Sequence, residues 1–251
     1  MKINVFEKII VMINMNNTLK SRCHIFFIIA LGFIFSSNSY GGDDGSVLFE
    51  KVLNKYNLLE SYTDSGEQHT YYYENGIIKY EDKRQFQTSY VKSGNIRLEW
   101  IDRKYGLSPK FNILWKNKNV TNVLLWKKEV ETFDSLNSAL SSITGITSGI
   151  AYAIPKYLSP DVPCDRLDGA LAVLVKEDNA TQTILEITYP SNNSKIFWIG
   201  KDSLLIRKIE RWEELSSYKV KEVIEYSDIA VNQKIDEKTF DIDPKDFVIQ
   251  K

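Results

Sequence analysis

The sequence predicts a mainly antiparallel β domain with one helix at its start and a helical insertion in its middle. Three observations carry this. Short runs rich in Val, Ile, Tyr, Phe and Trp recur along the chain, divided by compact polar stretches such as Lys116-Asn117-Lys118-Asn119. Asn75-Gly76 stands between two such runs, and this dipeptide suits the left-handed backbone of a tight hairpin. In Ile184 to Tyr189, Leu185, Ile187 and Tyr189 alternate with Glu186 and Thr188, as a strand with one wet face requires.

Element by element, Val47, Leu48, Val52, Leu53, Tyr56 and Leu59 fall on one face of a helix over Val47 to Glu60. Thr63-Asp64-Ser65-Gly66 reads as a turn, followed by a hairpin of Gln68 to Tyr73 and Ile77 to Tyr80. Further strands are expected at Gln85 to Val91, Asn95 to Ile101, Asn112 to Trp115 and Val120 to Trp126. The segment from about 133 to 158 breaks this pattern: a helix starts after an Asp134 cap, Gly145 and Gly149 loosen it, and Pro155, Pro160 and Pro163 end it. Strands resume at Ala170 to Lys176, Thr183 to Tyr189, Lys195 to Ile199, Leu204 to Trp212 and Tyr218 to Tyr226. No repeat or linker divides the chain, so residues 43–251 are expected to form one domain.

Residues 1–42 read as an export signal. Lys20 and Arg22 precede the apolar run Ile25 to Phe35, and Ser36-Ser37-Asn38-Ser39 offers small residues for cleavage near Ser39. Met15 is an alternative start. The run is short of the roughly 20 residues that span a membrane, so a cleaved signal and a periplasmic location are expected rather than a retained anchor. Cys23 precedes the run instead of following it, which argues against a lipid anchor.

The 251 residues carry 32 Lys and Arg against 33 Asp and Glu, so no net field draws the protein to nucleic acid. With 43% hydrophobic residues the chain can bury a core, and a monomer is expected. Beyond the signal remain one histidine, His69, and one cysteine, Cys164, so neither a disulfide nor a mixed Cys/His zinc site is available, and no metal or cofactor is expected. Gly-x-Ser-x-Gly and phosphate-loop patterns are absent. His69 lies too close in sequence to Asp64 and Ser65 for a triad, and the pairs Glu129/Glu131 and Glu213/Glu214 read as solvated charges. An enzyme is not expected. Four Asn-x-Ser/Thr triplets, at Asn16, Asn119, Asn179 and Asn192, are assigned no role. Five tryptophans, Trp100, Trp115, Trp126, Trp198 and Trp212, lie in or beside strands, where they either line an apolar surface or fill the core.

The ending of the chain resembles a known family. Ile196-Phe197-Trp198-Ile199, Lys201 to Ile209, Tyr226-Ser227-Asp228-Ile229-Ala230-Val231-Asn232 and Phe240-Asp241-Ile242-Asp243-Pro244 resemble the outer-membrane lipoprotein-sorting carriers, a LolA/LolB-like superfamily, and their periplasmic relatives. Tyr62-Thr63-Asp64-Ser65-Gly66 and Phe86 to Lys92 are similar to the opening of the same superfamily. The resemblance implies a curved, incomplete antiparallel β-barrel covered by helices, with lipid or acyl chains held between sheet and lid. The carriers place an arginine after the Val-Lys of an early strand to hold the lid closed; here that position is Ser93, and Arg97 is a substitute candidate.

Two functions follow from this reading. One is a carrier or sensor of a lipid, acyl chain or lipidated protein, its cavity lined by Trp100, Trp115, Trp126 and Trp198 and by Ile146, Ile150 and Ile154 from the lid. The other is an envelope assembly module with a filled core that binds a protein partner.

Overall fold

The computed structural model describes residues 43–102, 110–116, 119–124, 129–147, 149–159, 162, 167–215 and 217–241. The expected export signal, Trp126, Pro160, Pro163, Cys164 and Ile242 to Pro244 lie outside these residues.

The first helix, α1 (Asp43–Asn57), leads into β1 (Ser61–Glu74), β2 (Ile77–Val91), β3 (Asn95–Asp102), β4 (Lys110–Lys116), β5 (Asn119–Leu124) and β6 (Glu129–Phe133). Helix α2 (Leu136–Thr147), a 3₁₀ turn at Ile150–Tyr152 and the short helix α3 (Pro155–Leu158) then interrupt the strands. The chain continues through β7 (Ala172–Asp178), β8 (Gln182–Thr188), β9 (Ser194–Gly200), β10 (Ile206–Glu214) and β11 (Lys219–Val231). All eleven strands form one antiparallel sheet in the order β6-β5-β4-β3-β2-β1-β11-β10-β9-β8-β7. The sheet does not close: β6 and β7 are its two edges. Two meanders of hairpins meet where β1 pairs with β11, the one ladder among the described residues that joins segments more than 140 residues apart.

Several local expectations are corrected. Thr63 to Gly66 is not a turn but part of the continuous strand β1. Gly66 is there for space: a Cβ on it would stand 2.4 Å from the Glu225 carbonyl oxygen and 2.4 Å from Phe86 Cζ. Its bare backbone lets Phe86 and Tyr226 meet edge to face across β1, ring centroids 5.5 Å apart. The strands either side of Asp82 are one, β2, paired along its length with β1. Helix α1 starts earlier than expected, and Val47 is exposed while Phe49 joins Val52, Leu53 and Tyr56 in the buried stripe. Strand β6 was not legible as a strand.

The hairpin at Asn75-Gly76 forms as expected, with φ of 52° and 78°. Helix α2 is capped by Ser135, whose hydroxyl accepts from the Ser138 amide at 3.1 Å, rather than by Asp134. It buries Leu136, Ala139 and Leu140, an i, i+3, i+4 stripe, and runs on through Gly145. The break comes at Gly149, with φ of 84°, ahead of the 3₁₀ turn. Pro155 opens α3 at its first position instead of ending a helix, because the amide of a first-turn residue makes no hydrogen bond within the helix that proline would remove.

The core lies on one face of the sheet. Phe49 packs on Phe197 of β9 at 5.4 Å between ring centroids and on Tyr157 of α3 at 6.2 Å. Tyr56 packs on Tyr62 at 5.8 Å and Tyr157 at 6.0 Å, and its hydroxyl accepts from the Ile206 amide at 3.0 Å. One helix thus holds strands from both meanders. Trp100, Ile96, Leu98, Leu185 and Ile187 complete this core.

Candidate functional site

A cavity of about 280 Å³ lies between the helical segment and the covered face of β9, β10 and β11. Its floor is an apolar row of Phe197, Ile209 and Ile224, directly opposed in the two ladders. Ala153 and Tyr157 face this row from the helical side. One pleat further along the strands the character changes: Lys195, Arg211 and Glu222 are opposed in the same way, and Lys156 of α3 joins them in the lining.

The polar row does not stop at the cavity. Glu222 is opposed by Thr70 of β1, and Thr70 by Asp82 of β2, so inward polar residues cross five strands. Arg211 Nη2 meets Glu222 Oε2 at 2.5 Å, and Arg84 Nη2 meets Asp82 Oδ2 at 2.5 Å. Burial pushes the Glu222 carboxyl above its ordinary range even though the Arg211 guanidinium pulls it down. The Thr70 hydroxyl is buried without a hydrogen-bond partner among the described residues.

The helical side is braced from within. The Tyr152 hydroxyl donates to Asn137 Oδ1 at 2.6 Å and lies 2.5 Å from Ser141 Oγ, which ties the 3₁₀ turn to α2. Gly149 sits over Arg211: a Cβ there would come within 3.4 Å of Nη2. This arrangement can hold a molecule with an apolar part against Phe197 and a polar part against the charged row. Glu222, the one carboxylate in the described lining, is engaged by Arg211.

No family model and no curated protein matches the sequence. Solved structures do match. A LolA superfamily protein from Nitrosomonas europaea is 12% identical, the match covering 77% of this chain and 97% of that one with a TM-score of 0.34. An uncharacterised conserved protein from Thermus thermophilus is 11% identical over 79% of this chain and 95% of its own, with a TM-score of 0.47. A chain of the Pseudomonas aeruginosa MucA/MucB complex is 10% identical over 80% of this chain at a TM-score of 0.43, and the match spans 61% of that chain's length. At these identities the likeness is one of fold alone.

The residues expected to line a cavity fall in different places. Trp100, Ile150 and Ile154 are buried in the common core, at 1%, 2% and 1% exposure. Trp198 alternates with the buried Phe197 and Ile199, so it lies on the other face of the sheet, its ring 4.8 Å from Lys208 Nζ. Trp212 also lies off the core, its ring 5.7 Å from that of Tyr73 and 5.0 Å from Lys221 Nζ. Trp115 is described by its ladder position alone, opposite Ile96, and Ile146 by its place in α2. Arg97 clamps the C-terminal turn: its Nη1 donates to the carbonyls of Thr239 at 2.8 Å and Asp241 at 3.2 Å. His69 stands on the open face of β1, 2.9 Å from Glu81 Oε1, with no path to the cavity side.

Lys156, Lys195, Arg211 and Glu222 were not singled out from the sequence. A signal existed in Ile209-Glu210-Arg211, where Arg211 shares the phase of Ile209, and in Lys195-Ile196-Phe197. It was masked because Ile196 and Trp198 make both faces of β9 apolar. A register shift between Ile206 and Lys208 also puts two inward residues, Ile206 and Ile209, three apart instead of two.

Proposed function

We propose that this is an exported envelope protein that binds a lipid or acyl chain in the cavity between the helical segment and β9–β11, as a carrier or sensor. The cavity with its Phe197, Ile209 and Ile224 floor is the observation that carries this reading, since an apolar row beside polar groups suits an amphiphilic ligand. Export rests on the sequence of residues 1–42; no helix among the described residues is long and apolar enough to cross a membrane. Native mass spectrometry of the protein purified from an envelope fraction without detergent, followed by organic extraction, tests the reading. A discrete added mass that extracts as lipid supports it. A bare chain that stays bare after incubation with envelope lipids overturns it.

A second reading is an envelope assembly module with a filled core. It is favoured by the burial of Trp100, Ile150 and Ile154 in the core, where they are packed among other side chains. Crosslinking in cells that recovers one stoichiometric protein partner, with no extractable lipid, would select it.

A further inference from the structure

The two longest described strands, β1 and β2, end together in a hairpin that carries apolar and aromatic side chains on both faces. At its turn Ile77 is 62% and Ile78 49% exposed. Tyr72 has the phase of the buried Thr70, and on that face its ring lies 5.6 Å from Tyr80 and 6.3 Å from Tyr218, which leads into β11. Tyr73 has the phase of His69, and on the opposite face its ring lies 5.7 Å from that of Trp212. The charges at this end are matched, Glu74 with Lys79 at 3.6 Å and Glu214 with Lys219 at 3.1 Å. Further from the turn the pairs Lys221–Glu210 at 3.1 Å and Lys83–Glu67 at 2.6 Å follow. Along the strands the order is therefore exposed isoleucines, then a belt of tyrosine and tryptophan, then ion pairs.

We propose that this hairpin end docks in the head-group layer of a lipid bilayer. The order of side chains follows the change from acyl chains through the interface to water, and tyrosine and tryptophan suit the middle layer because an apolar ring there carries a polar tip. A protein partner covers one face of a strand pair, whereas a fluid phase closes around both faces and the turn at once. Exposed apolar side chains gathered in this way mark an interaction site rather than scattered surface residues. Because each charge beside the belt has an opposite partner, the contact is shallow and does not depend on anionic lipid. None of these residues lines the cavity, so the inference does not rest on ligand binding, and its failure leaves that reading untouched.

Flotation of the protein, purified from an envelope fraction, with vesicles of phosphatidylcholine and phosphatidylethanolamine tests it, in low and in high salt. The protein should float with the vesicles to the same extent in both, since matched charges leave little for salt to screen. Ile77→Asp and Ile78→Asp should each reduce the floated fraction severalfold. Both side chains are exposed, so these variants should melt with the unsubstituted protein, which reports that they are folded. Leu171→Asp, at a residue 71% exposed outside this hairpin, should float as the unsubstituted protein does. No flotation of the unsubstituted protein, flotation that Ile77→Asp and Ile78→Asp leave intact, or flotation that Leu171→Asp abolishes equally overturns the docking site. A dimer in sedimentation velocity without lipid that Ile77→Asp dissolves overturns it in favour of a second copy of the chain.

Discussion

Asp64 and Ser65 are neighbours in β1 that live in different media. Ser65 faces outward, where its hydroxyl donates to Asp228 Oδ2 at 2.6 Å. Asp64 faces the core, accepting from the Tyr62 hydroxyl at 2.7 Å and the Thr88 amide at 3.0 Å. Burial outweighs these two donors and pushes its carboxyl from the ordinary 3.8 up to about 6. The folded protein therefore holds the Asp64 proton more tightly than the unfolded chain. The resulting stabilisation is fully present below about pH 4 and is lost as the pH rises through about 6, a change of about 3 kcal/mol. Asp64→Asn should remove that loss, so the variant gains on the unsubstituted protein between pH 4 and pH 7 in thermal melts. A stability difference that does not change with pH would show that Asp64 is ionised throughout. The buried Tyr226 hydroxyl, which burial and Asp64 hold well above the ordinary tyrosine range, marks the same polar pocket in the core.

At the scale of elements, close backbone approach and short polar braces do what propensity does not. Gly66 is the clearest instance: no rotamer can relieve a Cβ that meets a backbone carbonyl at 2.4 Å. Gly66→Ala should cost about 1–3 kcal/mol, read as a lower urea midpoint with an unchanged slope. The helical segment is braced differently. Tyr152→Phe keeps the ring and removes the hydroxyl that bonds Asn137 and Ser141, so a loss of about 1 kcal/mol is expected. Hydrogen exchange should then quicken in α2 and in the Ile150–Tyr152 turn while the β1 amides keep their protection. Uniform quickening would mean that this brace belongs to the global fold and not to the segment over the cavity.

Across the whole molecule, the two meanders are each built from neighbouring hairpins, and only the β1–β11 ladder joins them within the sheet. Helix α1 supplies the second join, since Tyr56 meets Tyr62 of β1 and the Ile206 amide of β10, and Phe49 meets Phe197 of β9. The end of the helix where Phe49 sits also approaches β7 so closely that a Cβ on Gly45 would fall 2.6 Å from the Val173 carbonyl oxygen. Phe49→Ala should therefore destabilise the molecule by about 3–5 kcal/mol. Differential scanning calorimetry should show one transition at a lower temperature. Two separated transitions would mean that the meanders unfold independently and that α1 does not couple them.

The antiparallel order, the Asn75-Gly76 hairpin, the N-terminal helix and a helical interruption near residues 133–158 were all readable from the order of residues. Those rest on local physics: alternation, left-handed turn residues and the periodicity of apolar positions, all of which act over a few neighbouring residues. Long-range packing makes Thr63 to Gly66 a strand, because Gly66 answers to Phe86, twenty residues away, and not to its own turn propensity. The same packing sets which residues surround the cavity. Trp100, Ile150 and Ile154 have the apolar character of lining residues, yet they are packed into the core, while Lys156, Lys195 and Arg211 come together from α3, β9 and β10. A charge on the inward phase of a strand is visible only once bulges have set that phase, and its partners only once the ladders have set the register.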